Sequence, residues 1–391
     1  MRLALWCTSY FSGFGGAEKV VNDLLNRFAA RGIETLLIAG KTERSHSHNP
    51  HYAPLDPKVR VYQNTFLNPF DYLRRPHVSV WRFFQYLSAA MQVGFFLRKN
   101  KIDLVHLHFV SFDVVLLILY KYLLGYKLLV TFAGSDVHLA AKNNLAGLKV
   151  RLALRHADCV TAVSTDLCAA LVALFNGANP LYIPNGVHRE QLQKLAASCS
   201  SPIDGDHLIY CGRLTPVKRL SFLIEAFYQC LRRGCDRNLY IIGDGEDAPR
   251  IKALIASHRL QDRIIALGAL PHEQVVNAIS RSRCLLLSSA NEGCPMVVLE
   301  SLTLGRPVIA PDVGGLKDVL IHGENGYLYP VGRQDLFCDS IMKIVGDRTL
   351  ATCLGSRGPG SLAGKFESDV VTDHYWRIYE SMTQSGRLAC A

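Results

Sequence analysis

Short apolar strands alternate with amphipathic helices along almost the whole 391-residue chain. A second series of this alternation begins at residue 207 and continues to PVIAPD, which ends at Asp312. Parallel strands need a crossover connection, usually a helix, so this pattern predicts βαβ units and mostly parallel sheets. The strand-like runs of the first series are 2–8, 103–108, 127–132 and 158–163.

Two domains are expected from the length and from a break between the two series. Residues 186–206 are polar and carry no strand signal, so they are predicted to connect a first domain, 1–185, to a second, 207–365. Residues 366–391 begin with apolar residues at helical spacing and are predicted to form a helix that packs back across the cleft between the domains. Five prolines in 41–77 favour an irregular surface segment. The predicted fold is α/β, with two facing Rossmann-like, doubly wound domains that bind ligands beyond the carboxyl ends of their strands.

The basic charge of the chain is concentrated in its first half. Residues 1–185 hold 20 Lys and Arg against 11 Asp and Glu, whereas the rest of the chain holds 23 against 22. This excess favours an anionic partner such as a phosphorylated substrate, a polyanion or a membrane surface, and a solvated basic face is the alternative. The region lacks regular aromatic interleaving and an RNA-binding signature, so nucleic acid is not an expected partner.

Cysteine usage and hydropathy predict a cytoplasmic protein. The 12 cysteines form no CxxC pair and lie mostly in apolar runs, as is typical of small buried side chains in a reducing compartment. The N-terminus becomes polar at Thr8, too soon for a signal peptide. The two most apolar stretches, 78–97 and 114–130, contain charged or polar residues, so neither is expected to cross a membrane.

The most informative segment is 288–315, SSANEGCPMVVLESLTLGRPVIAPDVGG. Pro295 suits the first position of a helix. Glu292 lies in the loop before this helix and Glu300 lies on it, while Gly293 allows a ligand to approach the backbone. Free amides at a helix start can bind a diphosphate, and carboxylates accept hydrogen bonds from sugar hydroxyls. The segment therefore predicts a site for a phosphorylated, hydroxyl-rich ligand, the alternative being an ordinary helix with two solvated glutamates.

The spacing of Glu292 and Glu300 resembles the signature of the retaining glycosyltransferases of family 4, which have the GT-B fold. Similar motifs follow one another in order over most of residues 2–345: SGFGGAEK, DLVHLH, TFAGSDVH, AVSTDL, IPNGVH, YCGRLTPVKRL, IIGDGED, ALGALPHEQV and HGENGYLYP. The resemblance implies a retaining transferase that moves a sugar from a UDP- or GDP-linked donor to a lipid-linked or cell-surface polysaccharide acceptor. It also implies front-face displacement, in which the leaving phosphate helps to take the acceptor proton.

The resemblance further implies roles for individual residues. Arg213 and Lys218 match a basic pair that binds the donor diphosphate, Glu300 a residue that binds the ribose, and Glu292 a residue that faces the donor sugar. The implied donor site comprises Gly15, Gly16, Arg213, Lys218, Gly243, Gly245, Leu270, Glu292, Gly293, Cys294, Pro295, Met296, Val297 and Glu300. The candidate catalytic residues are Glu292, Arg213, Lys218 and His108. His108 is proposed from its place at the carboxyl end of a strand, and a structural histidine is the alternative.

Ala133 departs from the family pattern, because it stands where a histidine often contacts the donor sugar. This keeps a catalytically silent GT-B binding module open as an alternative to a transferase. A GT-B sugar-nucleotide epimerase is a second alternative, because the same architecture also serves that class of enzyme. The triplet 204–206 has the DxD pattern that holds a metal in another glycosyltransferase fold, but its residues favour a turn. The sequence contains no HExxH motif and no paired CxxC, so neither a protein-held metal nor a further cofactor is predicted, and the enzyme is expected to be metal-independent.

The stretch from Arg74 to Lys101 is a candidate for membrane docking. Its aromatic and aliphatic residues are flanked by cations, which suits an interfacial helix on an anionic surface. The prediction is a peripheral protein at the inner face of the plasma membrane, and a core helix with solvated ends is the alternative. The flanking cations are Arg74, Arg75, Arg82, Arg98, Lys99 and Lys101.

Overall fold

The computed structural model describes residues 1–7, 10, 16–40, 55–64, 80–111, 113–134, 136–138, 144–198, 203 and 205–384. The chain divides into two compact units. The first comprises Met1–Pro184 together with the residues from Val371 onward, and the second comprises Asn185–Val370. Each unit is built on a parallel sheet with helices, as the alternating sequence pattern predicts.

The described strands of the first unit form a seven-stranded sheet. Its order is β3-β2-β1-β4-β5-β6-β7, and all neighbouring strands are parallel. These strands are β1 (Arg2–Trp6), β2 (Glu34–Gly40), β3 (Arg60–Asn64), β4 (Leu104–His108), β5 (Lys127–Phe132), β6 (Cys159–Ala162) and β7 (Leu181–Tyr182). The helices are α1 (Gly16–Ala30), α2 (Val80–Lys99), α3 (Asp113–Leu124), α4 (Asn144–His156) and α5 (Thr165–Leu174).

Strand β3 lies within the segment 41–77, where prolines predict irregular structure, so that prediction is wrong for residues 60–64. Among the described strands it lies at the edge of the sheet, where it pairs with β2 alone. An edge strand needs hydrogen bonds on one side alone, and prolines in a segment do not prevent a short strand of this kind.

The described strands of the second unit form a six-stranded parallel sheet. The strands are β8 (Leu208–Cys211), β9 (Leu239–Ile242), β10 (Ile264–Gly268), β11 (Cys284–Leu286), β12 (Val308–Pro311) and β13 (Gly326–Tyr329). Their order is β10-β9-β8-β11-β12-β13. The helices are α6 (Arg189–Ser198), α7 (Leu220–Arg232), α8 (Ala248–Ser257), α9 (His272–Arg281), α10 (Met296–Thr303), α11 (Gln334–Gly346) and α12 (Arg348–Leu362). Helix α6 lies in the segment predicted to connect the domains, and its Ala196 carbonyl accepts a hydrogen bond from Asn277 on α9 at 2.8 Å.

The strand order reverses between β1 and β4 in the first sheet and between β8 and β11 in the second. At such a reversal the loops that follow the two central strands diverge and leave a crevice at the carboxyl edge. In the second unit these two loops carry Arg213 and Lys218 after β8, and Glu292 after β11. The topology alone therefore brings the predicted diphosphate and sugar residues to one edge of the sheet.

The last helix, α13 (Ser368–Gln384), returns the chain to the first unit from Val371 onward. On this helix Tyr379 is buried, and its hydroxyl lies 2.7 Å from Nδ1 of His106 on β4. The other ring nitrogen of His106 lies 2.7 Å from Oγ1 of Thr131 on β5. A buried polar network therefore joins the C-terminal helix to the middle of the first sheet.

Candidate active site

The loop after β8 is tied to the loop after β11 by hydrogen bonds on both sides. It ends in a 3-10 turn, Pro216–Lys218, which closes at Arg219 in a left-handed conformation with φ 51°. The carbonyl of Lys218 accepts a hydrogen bond from the hydroxyl of Ser288 at 2.7 Å. The amide of Ala290 donates to the carbonyl of Val217 at 2.8 Å. These bonds fix the two loops against each other at the strand-order reversal.

Lys218 and Glu292 form a direct ion pair at the centre of this arrangement. The Nζ atom of Lys218 lies 2.6 Å from Oε1 of Glu292, and the hydroxyl of Ser289 donates to the same oxygen at 2.6 Å. The Glu292 side chain is only 8% exposed. Among the described residues, Oε2 has no hydrogen-bond partner, so the carboxylate is oriented through one oxygen and retains an acceptor on the other.

Arg213 is exposed on the same loop, five residues before Lys218. Its backbone carbonyl accepts a hydrogen bond at 3.0 Å from the hydroxyl of Tyr210, which is buried on β8. Burial raises the pKa of Tyr210 well above its usual value, and the nearby Glu292 charge adds to this rise. The phenol therefore stays protonated and holds the Arg213 backbone, while the guanidinium remains accessible.

Glu300 lies on α10 and is held by a residue that the sequence did not single out. Its Oε1 atom lies 3.0 Å from Nε2 of His272, the first residue of α9. Glu300 is buried and His272 is partly exposed. Leu270 occupies the preceding loop, between β10 and α9, and is half-buried. The pair places a carboxylate and an imidazole at the edge of the sheet where a nucleotide is predicted.

The segment 293–297 leads into α10, which begins at Met296 after the predicted Pro295. The carbonyl of Cys294 accepts a hydrogen bond from the side-chain amide of Asn185 at 2.7 Å, and this contact anchors the loop. Burial raises the pKa of the Cys294 thiol to about 12, so this group is neutral and not a nucleophile. Amides at a helix start have no acceptor within the helix, and the helix dipole is positive there. Gly293 and Val297 belong to the same segment.

Gly243 and Gly245 bring the loop after β9 against the loop after β8. A Cβ on Gly243 would lie 1.9 Å from the carbonyl oxygen of Gly212, and one on Gly245 would lie 2.3 Å from that of Leu214. Neither position therefore has room for a side chain, because the backbones of the two loops pack directly against each other. Their contact with a nucleotide stays a prediction.

His108 belongs to the first unit, where it ends β4 and is buried. Its ring lies 4.0 Å from that of His106, and its Nε2 atom has no hydrogen-bond partner among the described residues. Burial lowers the pKa of His108 to about 3, so the imidazole is neutral at physiological pH. Of the two predicted N-terminal glycines, Gly16 begins α1 and is exposed, while Gly15 lies outside the described residues.

The loop that contains Ala133 is organised by Asp136. The Asp136 carboxylate accepts hydrogen bonds from the amides of Gly134 at 2.9 Å, Val137 at 3.1 Å and Val110 at 3.3 Å. Burial raises the pKa of Asp136, and the bound amides oppose this rise. The carboxylate thus ties the loop after β5 to the loop after β4, next to the half-buried Ala133.

The structure brings Arg213, Lys218, Glu292, Glu300 and the start of α10 together at the carboxyl edge of the second sheet. Sequence reasoning missed residues that orient this set. Two of them lie three residues from the group they contact, and two lie far from theirs along the chain. A signal was present for them, since each is a polar residue in or beside a strand or in the loop that follows one. The missed residues are Asn185, Tyr210, His272 and Ser289.

No group of three or more His, Cys, Asp or Glu that could hold a metal ion occurs in the part of the chain that the structure describes. Of the DxD triplet, Asp204 lies outside the described residues. Asp206 accepts a hydrogen bond from Nη2 of Arg283 at 2.8 Å and lies 3.0 Å from Nη2 of Arg237. Asp206 is therefore engaged by arginines before β8.

Two family models together match most of the chain. Residues 14–191 match the model described as Glycosyltransferase Family 4, and residues 194–359 match Glycosyl transferases group 1. The chain is a GT4-type glycosyltransferase. The recognition made from the Glu292–Glu300 motif and its neighbours is thereby confirmed.

Curated relatives and solved structures agree with this family. The N-acetyl-alpha-D-glucosaminyl L-malate synthase of Bacillus anthracis is 26% identical over 97% of both chains. The lipopolysaccharide 1,6-galactosyltransferase of Salmonella typhimurium is 28% identical over 58% of this chain and 60% of its own. Sucrose-phosphate synthase of Thermosynechococcus elongatus has a TM-score of 0.82 at 20% identity, over 98% of this chain and all of that one. HepE of Anabaena, solved with UDP and glucose, has a TM-score of 0.74 at 18% identity, over 97% of this chain and all of that one. These likenesses confirm the GT-B fold.

The burial of His108 predicts an acid-sensitive first unit. The unfolded chain binds a proton on this residue near pH 6.5 and the native chain only near pH 3, so stability falls as pH falls through that window. Between pH 7.5 and 5.0 the free energy of unfolding should fall by about 2 kcal/mol because of His108. This contribution to the pH dependence should be absent in His108→Gln. Urea unfolding followed by tryptophan fluorescence measures it, because Trp6, Trp81 and Trp376 all belong to the first unit.

The matched control is His374→Gln, since His374 is exposed on α13. This variant should keep the wild-type pH dependence. An unchanged pH dependence in His108→Gln would show that His108 takes up its proton normally in the native state.

Proposed function

We propose that this chain is a retaining glycosyltransferase that transfers a sugar from a nucleotide-sugar donor to a lipid-linked or cell-surface polysaccharide acceptor. The observation that carries the proposal is the pairing of Lys218 with Glu292 where the strand order of the second sheet reverses. A cation for the diphosphate and a carboxylate for the sugar lie side by side there. The donor is a UDP- or GDP-sugar, and HepE of Anabaena, which shares the fold, was solved with UDP-glucose.

The leaving diphosphate gains negative charge as the glycosidic bond breaks. Arg213, Lys218 and the first amides of α10 are positioned to stabilise that charge, and the helix dipole adds to it. The hydrogen bonds from Ser288 and Tyr210 fix the loop backbone that carries both cations, so little reorganisation is needed during the reaction. The diphosphate oxygen then takes the acceptor proton on the same face of the sugar, and the configuration at the anomeric carbon is retained.

Glu292 is assigned to the donor sugar and Glu300 to the ribose. Lys218 and Ser289 orient Glu292 through Oε1, which leaves Oε2 to accept a hydrogen bond from a sugar hydroxyl. The ammonium of Lys218 has three donors, so it can keep Glu292 and still bind the diphosphate. His272 holds Glu300 in place on the nucleotide side. Ala133 supplies no imidazole, so the sugar contact rests on Glu292 and the neighbouring amides.

The acceptor class is supported by the relatives and by the basic first unit. Named relatives include the Salmonella galactosyltransferase of lipopolysaccharide and a phosphatidyl-myo-inositol mannosyltransferase of Mycobacterium tuberculosis, 26% identical over 54% of this chain and 56% of its own. Both names describe acceptors that are lipid-linked or belong to the cell envelope. The neutral His108 at the end of β4 is assigned to this acceptor side as a hydrogen-bonding group.

Neutralising the two glutamates should affect different quantities, nucleotide affinity for Glu300 and kcat for Glu292. Glu300→Gln should weaken nucleotide binding roughly tenfold, because the ribose loses a charged acceptor. Glu292→Gln should lower kcat on the order of 10²-fold with a smaller effect on nucleotide affinity, because its partner is the reacting sugar. Calorimetry with UDP and GDP, and donor turnover under saturating conditions, measure the two effects.

Glu273→Gln is the matched control, because Glu273 is an exposed glutamate on α9 beside His272. It should leave both affinity and kcat unchanged. If Glu292→Gln and Glu300→Gln lose only nucleotide affinity, the assignment of Glu292 to the donor sugar is wrong. Full turnover in both would contradict the proposed function as a whole.

The transferase is proposed to work without a metal ion. Arg213 and Lys218 supply the positive charge that a divalent ion would otherwise bring to the diphosphate. Activity in excess EDTA should therefore equal activity in its absence. Loss of turnover that is restored by Mg²⁺ or Mn²⁺ would contradict metal independence, while EDTA-resistant turnover that falls in Lys218→Ala would support it.

Helix α2 supports a peripheral location at the inner face of a membrane. One face of the helix packs into the first unit through buried Ala89, Val93 and Leu97. The opposite face exposes four apolar side chains at helical spacing, and α3 beside it exposes four more, while Arg98 and Lys99 close the helix. Over the described residues, no helix is long and apolar enough to span a bilayer. The exposed side chains are Phe84, Leu87, Met91 and Phe95 on α2, and Val115, Leu119, Tyr122 and Leu123 on α3.

This exposed surface supports the hypothesis that the stretch from Arg74 to Lys101 docks on an anionic membrane. The side chains of Arg74, Arg75 and Arg82 lie outside the described residues, so the hypothesis now rests on the apolar stripe and on Arg98, Lys99 and Lys101. Insertion of apolar side chains and attraction of cations to anionic lipid act together at an interface.

Vesicle co-sedimentation should show binding that needs anionic lipid and weakens as salt is added. Met91→Gln with Phe95→Gln should reduce the bound fraction several-fold, because each removes apolar area from the interface. Val331→Gln, an exposed valine in the second unit, is the control and should bind like the wild type. Equal binding to neutral and anionic vesicles, or equal binding by the double variant, would contradict docking through α2.

A further inference from the structure

A basic cavity lies at the amino edge of the second sheet, at the other end of the strands from Lys218 and Glu292. Its volume is about 460 Å³, and it is lined by the turns that precede β8, β11 and β12 and by the first turns of α12. Among the described residues that line it are four arginines: Arg281, Arg283, Arg306 and Arg348. The proposed transferase reaction uses none of these residues.

The positive charge of this cavity is only partly balanced. Asp206 is the acidic residue in the described lining, and it is shared between Arg283 and Arg237. Within the described chain, Arg281, Arg306 and Arg348 form no ion pair. Positive charges that share a cavity repel one another, and this repulsion disfavours the arrangement unless an anion joins it.

Two guanidinium nitrogens in the cavity are buried without a hydrogen-bond partner among the described residues. The Arg283 side chain is 5% exposed, and its Nη1 atom has no acceptor. The Nε atom of Arg306 is also buried and unpaired. Burial lowers the pKa of this guanidinium, the Asp206 charge opposes that effect, and Arg283 and Arg348 add to it. Unsatisfied buried donors are rare in proteins because each carries a desolvation cost, so they indicate a missing acceptor.

The wall of the cavity is rigidly built. Helix α12 approaches the end of α10 so closely that a Cβ on Gly355 would lie 2.1 Å from the carbonyl oxygen of Gly305. A Cβ on Gly358 would lie 2.6 Å from that of Leu302. These contacts fix α12, and with it Arg348, against the turn that carries Arg306.

We propose that this cavity binds a soluble small molecule that bears a phosphate or diphosphate group. Guanidinium groups bind phosphate oxygens through paired hydrogen bonds, and several of them in a partly buried site select a multiply charged anion. The volume falls within the roughly 300–1,000 Å³ of small-molecule pockets, and its concave form suits a soluble ligand. The site is distinct from the proposed donor site, since the strands of the sheet separate the two.

Inorganic pyrophosphate is the probe, added at constant ionic strength while the melting temperature of the full chain is followed. The wild type should be stabilised saturably, as expected for a ligand that binds only the native state. In Arg306→Gln with Arg348→Gln, the midpoint concentration should rise at least roughly tenfold. Arg283 is left intact because it pairs with Asp206. Arg232→Gln with Arg250→Gln, two exposed arginines on α7 and α8, should keep the wild-type midpoint.

A variant with a disabled donor site is needed as well, because the donor site would also bind pyrophosphate. Arg213→Ala with Lys218→Ala should lose its response to UDP or GDP but keep the pyrophosphate response that depends on Arg306 and Arg348. If Arg306→Gln with Arg348→Gln does not fold, Arg306→Lys with Arg348→Lys keeps the charge but loses the paired geometry, and should also weaken binding.

Three results would overturn the proposal. One is an unchanged pyrophosphate midpoint in the Arg306 and Arg348 variants. Another is loss of the whole pyrophosphate response in the Arg213 and Lys218 background. The third is binding to phosphatidic acid vesicles that depends on Arg306 and Arg348 without any response to soluble pyrophosphate, because the phosphate would then belong to a lipid.

Discussion

The candidate active site depends on the contact between two loops that leave neighbouring parallel strands in opposite directions. Strands β8 and β11 are adjacent although two other strands separate them in sequence, and the order of the sheet reverses between them. The ion pair of Lys218 with Glu292 spans that reversal, and the bonds from Ser288 and Ala290 hold the backbones on either side of it. Without this junction the cation and the carboxylate, which belong to separate loops, would not be held together.

Close packing of backbone on backbone keeps the junction rigid. Gly243 and Gly245 seat the loop after β9 against the loop that carries Arg213. On the other side Gly314, with φ +51°, approaches the carbonyl of Glu292, where a Cβ would lie 2.0 Å away. A side chain at any of these positions would push a loop outwards. Gly243 and Gly245, which the family resemblance places in the donor site, therefore also allow two loops to pack closely, and both roles require that no Cβ is present.

The sequence predicts the parts of this site that depend on local pattern. The strand and helix alternation is enough for two parallel sheets, and the motif around Glu292, Pro295 and Glu300 is enough for the family. Tertiary partners are different, because they are set by pairs of residues far apart in the chain. Asn185 reaches Cys294 across 109 positions, and His272 reaches Glu300 across 28. Neither contact leaves a periodic signal in the sequence.

Burial changes the chemistry of residue types that look alike in the sequence. His108 ends β4 within an apolar strand, and only the packing around it lowers its pKa and removes it as a cation. Asp206 belongs to a triplet with the spacing of a metal motif, yet arginines engage it. In both cases the residue type permits several roles, and the neighbouring side chains select one of them.

The second sheet carries charge at both edges, but the two edges differ in how that charge is balanced. At the carboxyl edge, Lys218 is paired with Glu292, and Glu300 is held by His272. At the amino edge, a single described carboxylate serves a cluster of arginines, and buried guanidinium donors remain unpaired. A balanced site can exchange substrate and product without a large change in local stability, whereas an unbalanced one gains stability from an anion that stays bound. The carboxyl edge is therefore suited to turnover, and the amino edge is suited to an anion that stays bound.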